Sequence, residues 1–483
     1  MNSFAPALMT DQYELTMVSA ALKDGTADRR CVFEVFARRL PTGRRYGVAA
    51  GAGRLTELIR GFRFTPADVD FLRGAGIIDA DTASWLADYR FTGDIDGYAE
   101  GELFFPGSPI LTVSGTFAEC VVLETLILSV LNHDCAIAAA AARMVTAARG
   151  RPIIEMGSRR THEDAAIAAA RAAYLAGFAS TSNLAAGARY GIPTTGTSAH
   201  AFTLLHDSER DAFTAQVAAL GEGTTLLVDT YDVSEAVRTA VSVAGPELGA
   251  VRIDSGDLAD LAGQVRDELD VLGAKDTRIF VTGDLDEHGI AALAAAPVDG
   301  YGVGTALVVG SGHPTSGFVY KLVARTGADP SGPLVPVAKN SPYKQTRGGR
   351  KWAGRRVGAL GTAQTEVISL EGPTRGARPL QVQMLRGGER VWREPLEDSR
   401  NRHQRSRAEL PMSARHLSRG EPAIPTEYQR QERDQGTARR RRAERLLRGR
   451  IPRGGRGLGR GGRRRRAARE CRTGRLPARR RHP

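Results

Sequence analysis

Between positions 150 and 305 the chain repeats one pattern. A short run of branched apolar residues ends in Gly, hydroxyl, Arg, Asp or His residues, and a stretch with helical spacing often follows. Seven such runs, at 152–155, 177–180, 192–196, 224–229, 250–254, 278–283 and 298–303, predict strands. Segments 163–176, 182–190 and 258–272 predict helices between them. Ser182 or Asn183 can cap the second helix, and Gly191 can end it as a left-handed residue ahead of Pro193. Strands and helices alternating at roughly 20–30 residue spacing imply a parallel sheet, and so long a series fits a closed barrel better than a short open sheet. In barrels the loops after the strands build the active site.

The flanks read differently. Segment 10–22 has helical spacing, 30–37 alternates like a strand, 66–86 holds short helical pieces, and 101–112 reads as strands broken at Pro106-Gly107-Ser108-Pro109. An apolar helix over 117–131 and an Ala-rich helix over 136–149 follow. Beyond 315 the rhythm stops: 319–324, 335–338, 364–369 and 379–385 look like antiparallel strands, 393–410 like a charged helix and 422–428 like an extended end. The expected organisation is an N-terminal α/β domain over 1–135, an α/β barrel over 136–318, a C-terminal segment over 319–428 packing on the N-terminal domain, and a disordered Arg/Gly-rich tail over 429–483.

Charge alters the picture only for that tail. Gln429 to Pro483 holds 22 arginines, no lysine and four acids, a balance of +18; the whole chain carries +13, so residues 1–428 carry −5. Nucleic-acid binding is therefore not expected of the body. The tail reads either as an Arg/Gly nucleic-acid arm or, more simply, as out-of-frame translation of GC-rich DNA. The longest apolar stretch, 120–131, contains Glu124 and is too short to span a bilayer, and the N-terminus lacks signal-peptide character. Cys31, Cys120, Cys135 and Cys471 have no metal-like spacing. A reduced cytoplasm, with no membrane contact, is the expected setting.

Three carboxylates stand at strand ends: Asp229, Asp254 and Asp284, with Arg159, Arg160, Arg252, His162 and His200 on neighbouring loops. Each Asp alone could equally cap the next helix. Together at one end of a barrel they suggest a site for Mg²⁺ and an anion, because Mg²⁺ takes one or two carboxylates plus phosphate oxygens; Asp254 and Asp284 are the metal candidates. Gly302, Gly304 and Thr305 resemble a phosphate cradle, helped by the dipole of the next helix, and Gly283-Asp284 joins them as a phosphate contact. A tight turn is the ordinary explanation of such a glycine pair, but barrel phosphate sites tend to follow late strands. There is no Gly-x-Ser-x-Gly elbow, His-Glu-x-x-His helix or Walker loop, so hydrolase and P-loop chemistries lack support.

The segments Thr10-Asp-Gln-Tyr-Glu-Leu-Thr-Met17, Glu155 to His162, Gly196 to Phe202, Val251-Arg-Ile-Asp-Ser-Gly-Asp-Leu258 and Tyr301-Gly-Val-Gly-Thr-Ala-Leu307 resemble nicotinate phosphoribosyltransferases, over roughly residues 5 to 428. The resemblance implies a type II phosphoribosyltransferase fold: an irregular α/β barrel joined to an α/β domain formed by both ends of the chain. It implies that nicotinate and phosphoribosyl pyrophosphate become nicotinate mononucleotide and pyrophosphate in NAD salvage, with Mg²⁺ and with ATP as co-substrate. By the same resemblance Tyr13 stacks on the pyridine ring in a neighbouring subunit's site, which implies a homodimer with shared sites. Arg252 and Thr197 hold nicotinate, with Arg159 next in line for nicotinate or phosphate. Thr305, Gly302 and Gly304 hold the phosphoribosyl phosphate, and His200 accepts a phosphoryl group from ATP; Arg252 and Asp254 complete the catalytic set. Nicotinamide phosphoribosyltransferase is the nearest alternative, but that relative uses an aspartate for the amide where Ser180-Thr-Ser-Asn183 offers hydroxyls. A nucleic-acid-binding protein acting through its tail is the alternative from another class.

Overall fold

Six of the seven predicted strands pair in one parallel sheet: β1 (Ile153–Glu155), β2 (Ser180–Thr181), β3 (Thr225–Leu227), β4 (Ala250–Ile253), β5 (Arg278–Val281) and β6 (Gly300–Val303). This is a computed structural model, and it describes residues 6–340, 346–417 and 420–429; the expected disordered tail falls, but for Gln429, outside the described residues. The sheet order is β2-β1-β6-β5-β4-β3, and every neighbouring pair is parallel. Helices Glu163–Leu175, Leu184–Tyr190, Val233–Ala244, Leu258–Val271 and Glu287–Ala292 follow the first five strands.

The closed barrel is corrected to a curled half-barrel. The segment 192–196 makes one isolated bridge, Thr181 to Thr194, instead of a strand. Pro193 lacks an N–H, and its carbonyl and the Thr195 N–H already serve Thr181. The ladder stops there and does not continue to β3. The capping choice falls on Asn183, whose side chain accepts from Ala186 N at 2.8 Å, and Gly191 takes φ +69° as expected.

Both ends of the chain share a second sheet, as the fold reading required. Its seven strands run in the order Val335–Pro336, Phe318–Arg325, Arg30–Ala37, Leu111–Thr116, Asp94–Tyr98, Gln381–Arg386, Glu389–Arg390. Arg30–Ala37 lies between the C-terminal strand Phe318–Arg325 and the N-terminal strand Leu111–Thr116, antiparallel to both. A smaller sheet, Arg378–Pro379, Trp352–Val357, Ala363–Ser369 and Thr426–Tyr428, is tied in through Arg355. That residue is 1% exposed and donates to Glu366 at 2.8 Å and to the Leu103 carbonyl at 2.6 Å. Removing one partner of such a buried pair costs about 3–5 kcal/mol.

The helices expected over 117–131 and 136–149 are instead a short one, Phe117–Val121, and one of 25 residues, Glu124–Ala148. Asn132, His133 and Asp134 do not break it, because no Gly or Pro interrupts the turn and Asp134 is paired inside the protein with Arg54 at 3.0 Å. Leu126, Ile127, Val130 and Leu131 enter the core of the antiparallel sheet, while Ile137, Ala138, Ala141 and Met144 enter the core of the parallel one. This corrects the bilayer reading as well. The stretch Phe117–Ala148 is long and apolar enough to cross a membrane by length and composition, but 67% of its apolar window is buried inside the protein. It is a core helix serving two sheets.

His403, in helix Leu396–Ala408, is 1% exposed, and burial together with Arg407 pushes its pKa down to about 3. Its folded value lies below its unfolded value of about 6.5, so the unfolded chain binds the extra proton and stability falls as pH drops from there toward 3. Thermal melts at pH 7, 6 and 5 should show His403→Gln losing less stability on acidification than the unmodified protein. Parallel profiles for the two would sink this expectation.

Candidate active site

The strand-end aspartates are free of the capping duty that the sequence left open to them. Asp232 caps the helix after β3, accepting from Glu235 N at 2.9 Å. Asp257 caps the one after β4, and Asp286 the one after β5 with 2.8 Å bonds from His288 N and Gly289 N. A second Asp two or three residues downstream thus satisfies each helix, and Asp229, Asp254 and Asp284 remain on the rim. Asp229 and Asp254 meet: Asp229 Oδ2 accepts from the Asp254 N–H at 2.9 Å and from Ser255 Oγ at 2.6 Å. Asp254 Oδ1 accepts from the Thr282 hydroxyl.

His200 opens helix His200–Leu205 and reaches across to these acids. Its Nδ1 lies 3.1 Å from Thr230 Oγ1, and its Nε2 lies 3.8 Å from Asp229 Oδ1 and 3.9 Å from Asp254 Oδ2. Asp229 is 3% exposed at its side chain, and its Oδ1 is buried without a hydrogen-bond partner. The group therefore offers one imidazole nitrogen flanked by two carboxylates. Among the described residues no set of three or more His, Cys, Asp or Glu is placed to hold a metal ion by itself. Asp254 and Asp284 fit Mg²⁺ only in the form that borrows phosphate oxygens.

Below the rim lies a cavity of about 250 Å³ lined by all six strands. Ile154, Met156 and Phe280 give it apolar walls, Thr197 and Ser180 give it hydroxyls, and among the described residues Arg252 and Arg278 are the charged groups that line it. The Arg252 guanidinium donates to Thr197 Oγ1, which joins the two predicted substrate contacts. Burial, with Arg159 nearby, lowers the Arg252 pKa, while Asp254 and Asp229 oppose the shift. Arg252 Nε is buried and unpartnered, so an anion entering the cavity finds an unsatisfied donor.

The predicted phosphate residues gather beside this cavity. Thr305 Oγ1 is 3.5 Å from Asp284 Oδ1, and Asp284 holds φ +49°, a left-handed conformation uncommon outside Gly that Asp and Asn adopt more readily than most residues. Gly283 is required by contact as well as by its φ of +119°, since a Cβ there would meet the Asp254 carbonyl at 2.7 Å. A Cβ on Gly302 would collide with Thr282 and come within 2.8 Å of Met156 Sδ. The expected contribution of a helix dipole is small, because Thr305–Val308 is four residues long.

Other sequence expectations separate here. Arg159 sits exposed in the turn Ser158–Arg160, close enough to Arg252 to be felt electrostatically. His162 is a cap: its Nδ1 accepts from Asp164 N at 3.3 Å. Tyr13 is not brought to this cavity; it is 47% exposed on helix Gln12–Asp24 in the other half of the unit, beside Glu124, which helps burial raise its pKa. The sequence reading gave no role to Thr230, Thr282 or Glu155. Thr230 and Thr282 each adjoin a strand end that was singled out, but nothing local marks a threonine as the partner of a side chain on another strand. Buried Glu155 accepts from Gly157 N and Thr181 Oγ1, both at 2.5 Å, and so shapes the arginine turn.

Comparison with known proteins gives the following. Residues 8–132 match the sequence family described as nicotinate phosphoribosyltransferase (NAPRTase) N-terminal domain, and residues 137–310 match quinolinate phosphoribosyl transferase, C-terminal domain. The chain is 57% identical over 437 residues to nicotinate phosphoribosyltransferase pncB1 of Mycobacterium tuberculosis (strain ATCC 25618 / H37Rv), covering 88% of this chain and 96% of that protein. The crystal structure of human nicotinic acid phosphoribosyltransferase superposes with a TM-score of 0.76 at 27% identity, over 89% of this chain and 99% of that one. A nicotinate-nucleotide pyrophosphorylase from Pyrococcus furiosus, at 24% identity, shares the fold with a TM-score of 0.69 over 85% of this chain and 99% of that one.

Glu155→Ala leaves the Gly157 N–H and the Thr181 hydroxyl without their acceptor. The expected loss is about 2 kcal/mol in chemical denaturation, with faster tryptic cleavage at Arg159 and Arg160. Unchanged cleavage would show that the carboxylate does not shape the turn.

Proposed function

The chain belongs to the nicotinate phosphoribosyltransferase family, and we propose that its rim cavity is where nicotinate meets C1 of phosphoribosyl pyrophosphate. The products are nicotinate mononucleotide and pyrophosphate. One observation carries the reading: among the described residues the cavity wall holds two arginines, no carboxylate, and apolar faces suited to a pyridine ring. A ring acid gains a charge-assisted contact with Arg252. An amide would need an acceptor carboxylate, and the Ser180 hydroxyl that replaces one is already bonded to Thr195 Oγ1 at 2.9 Å.

The reaction needs no protein nucleophile. The C1–O bond to pyrophosphate breaks as the pyridine nitrogen forms its bond to C1, through an oxocarbenium-like state. The protein's work is positioning and neutralising charge. Arg252 and Thr197 orient the carboxylate, with Arg159 at the entrance for carboxylate or phosphate. Thr305 and the backbone around Gly283, Asp284, Gly302 and Gly304 cradle the 5′-phosphate. Asp254 and Asp284 would hold Mg²⁺ together with phosphate oxygens, and the ion would neutralise the departing pyrophosphate.

ATP coupling runs through His200 in this proposal. Nδ1–H donates to Thr230, which leaves the Nε2 lone pair to attack the γ-phosphorus of ATP as the P–O bond to ADP breaks and ADP departs, with Asp229 and Asp254 beside the cationic ring that results. The phosphohistidine reshapes the rim loops and tightens phosphoribosyl pyrophosphate binding. Tyr13, exposed and remote from its own cavity, serves the site of a second copy, so the working unit is a homodimer in the cytoplasm.

Arg252→Ala should raise the KM for nicotinate about 100-fold, matching the loss of a charged hydrogen bond of about 3 kcal/mol; a normal KM would exclude Arg252 as the carboxylate clamp. His200→Ala should retain a basal rate and lose stimulation by ATP, and full stimulation would rule out the phosphohistidine. Equal mixing of Tyr13→Ala and Arg252→Ala subunits should restore about a quarter of the activity through hybrid dimers. No recovery after proven subunit exchange would place Tyr13 outside a shared site.

A further inference from the structure

The two loops that carry the phosphate contacts are anchored to one buried guanidinium from the opposite half of the unit. Arg44 follows strand Arg30–Ala37 and is 6% exposed. Its Nη1 donates to Glu287 Oε1 at 3.2 Å, and its Nη2 donates to the Gly310 carbonyl at 2.8 Å. Glu287 stands three residues beyond Asp284, and Gly310 five beyond Thr305. Each loop therefore has one end at the rim and the other on Arg44.

The anchor is braced from a third direction. Arg143, from helix Glu124–Ala148, donates to the same Glu287 oxygen at 2.9 Å and to the Gly43 carbonyl at 3.0 Å. Burial pushes the Glu287 carboxyl up, but Ser311, Arg143, its own backbone N–H and, last, Arg44 hold it down at about 2, so it is charged throughout the neutral range. Beside the anchored carbonyl Ser311 holds φ +50°, and a serine keeps that conformation only where its surroundings impose it. Both acceptors of Arg44 are fixed in space, which suits a planar fork of donors and not a single ammonium.

We infer that Arg44 is a positioning residue for the phosphate site, setting the separation of Asp284 and Thr305 without touching substrate. The inference rests on the reading of those two residues as phosphate contacts. It differs from a purely structural salt bridge in its consequence: loosening Arg44 should be felt by phosphoribosyl pyrophosphate and not by nicotinate, whose contacts lie on β4 and on the Gly196-Thr197-Ser198 loop.

The test compares Arg44→Lys and Glu287→Gln with Thr305→Val in the full chain. Both anchor variants should raise the KM for phosphoribosyl pyrophosphate about tenfold, leave the KM for nicotinate within about twofold, and lower kcat less than the first KM rises. Equal shifts in both KM values, or none, in a folded anchor variant would overturn the inference. If Arg44→Lys does not fold, Glu287→Gln decides by the same criterion, and if neither folds the anchor is structural and the inference fails. Thr305→Val separates the premise: a normal phosphoribosyl pyrophosphate KM there would remove the phosphate reading itself, whereas a raised one beside unaffected anchor variants would overturn only the role of Arg44.

Discussion

In the parallel sheet Leu227 pairs with Arg252, Ile253 with Val281, and Val281 with Tyr301, and every group on the rim inherits its place from that register. Continuing each pair past the strand ends puts Asp229, Asp254, Thr282 and Gly302 at one level, side by side. The Asp229–Asp254 and Asp254–Thr282 hydrogen bonds follow from that alignment. So does the need for glycine at 302, where any side chain would run into Thr282 and Met156. A slip of one residue in any strand would turn its polar end group to the other face of the sheet.

Charge is sorted by depth. Carboxylates crowd the rim with His200, whereas among the described residues the charged groups lining the cavity beneath them are guanidinium groups. Arg252 belongs to both layers: its head is partly desolvated, which disfavours its charge, and the rim acids above offset part of that cost. In the proposed function an anionic ring acid entering from the rim would complete the compensation. A neutral ring would leave Arg252 Nε buried and unpaired, so selectivity would be a matter of unsatisfied donors more than of shape.

The second sheet matters to this site because it is not separable from it. Helix Glu124–Ala148 contributes to both cores, and buried ion pairs fasten the two halves. Arg171, on the helix after β1, gives Glu100 two hydrogen bonds, at 2.8 and 2.6 Å. Buried pairs of this kind add little net stability over an apolar contact, but a misplaced partner is heavily penalised. They select one arrangement of the halves, and Arg44 ties that arrangement to Glu287 and the Gly310 carbonyl.

Much of this was legible in the residue pattern. Short branched runs ending in polar bursts gave the parallel strands and the rim, because side-chain periodicity and turn chemistry are local properties. The motif resemblance gave the family, and it singled out Arg252 and Thr197, which the structure brings into contact. The reading failed where an outcome depended on what packs alongside. The segment around Pro193 makes only a bridge to Thr181, through the Pro193 carbonyl and the Thr195 N–H, so the barrel lacks its seventh strand. Residues 124–148 form one helix because two cores bury it and Arg54 neutralises Asp134. Likewise Asp229 and Asp232 look alike in sequence as candidate caps, and the helix start decides which one caps and which faces His200. The sequence by itself determined the kinds of element and the end of the sheet where chemistry gathers. The tertiary structure alone decided which groups meet, since hydrogen bonds such as Thr282 to Asp254 and Arg44 to Gly310 join residues 28 and 266 positions apart.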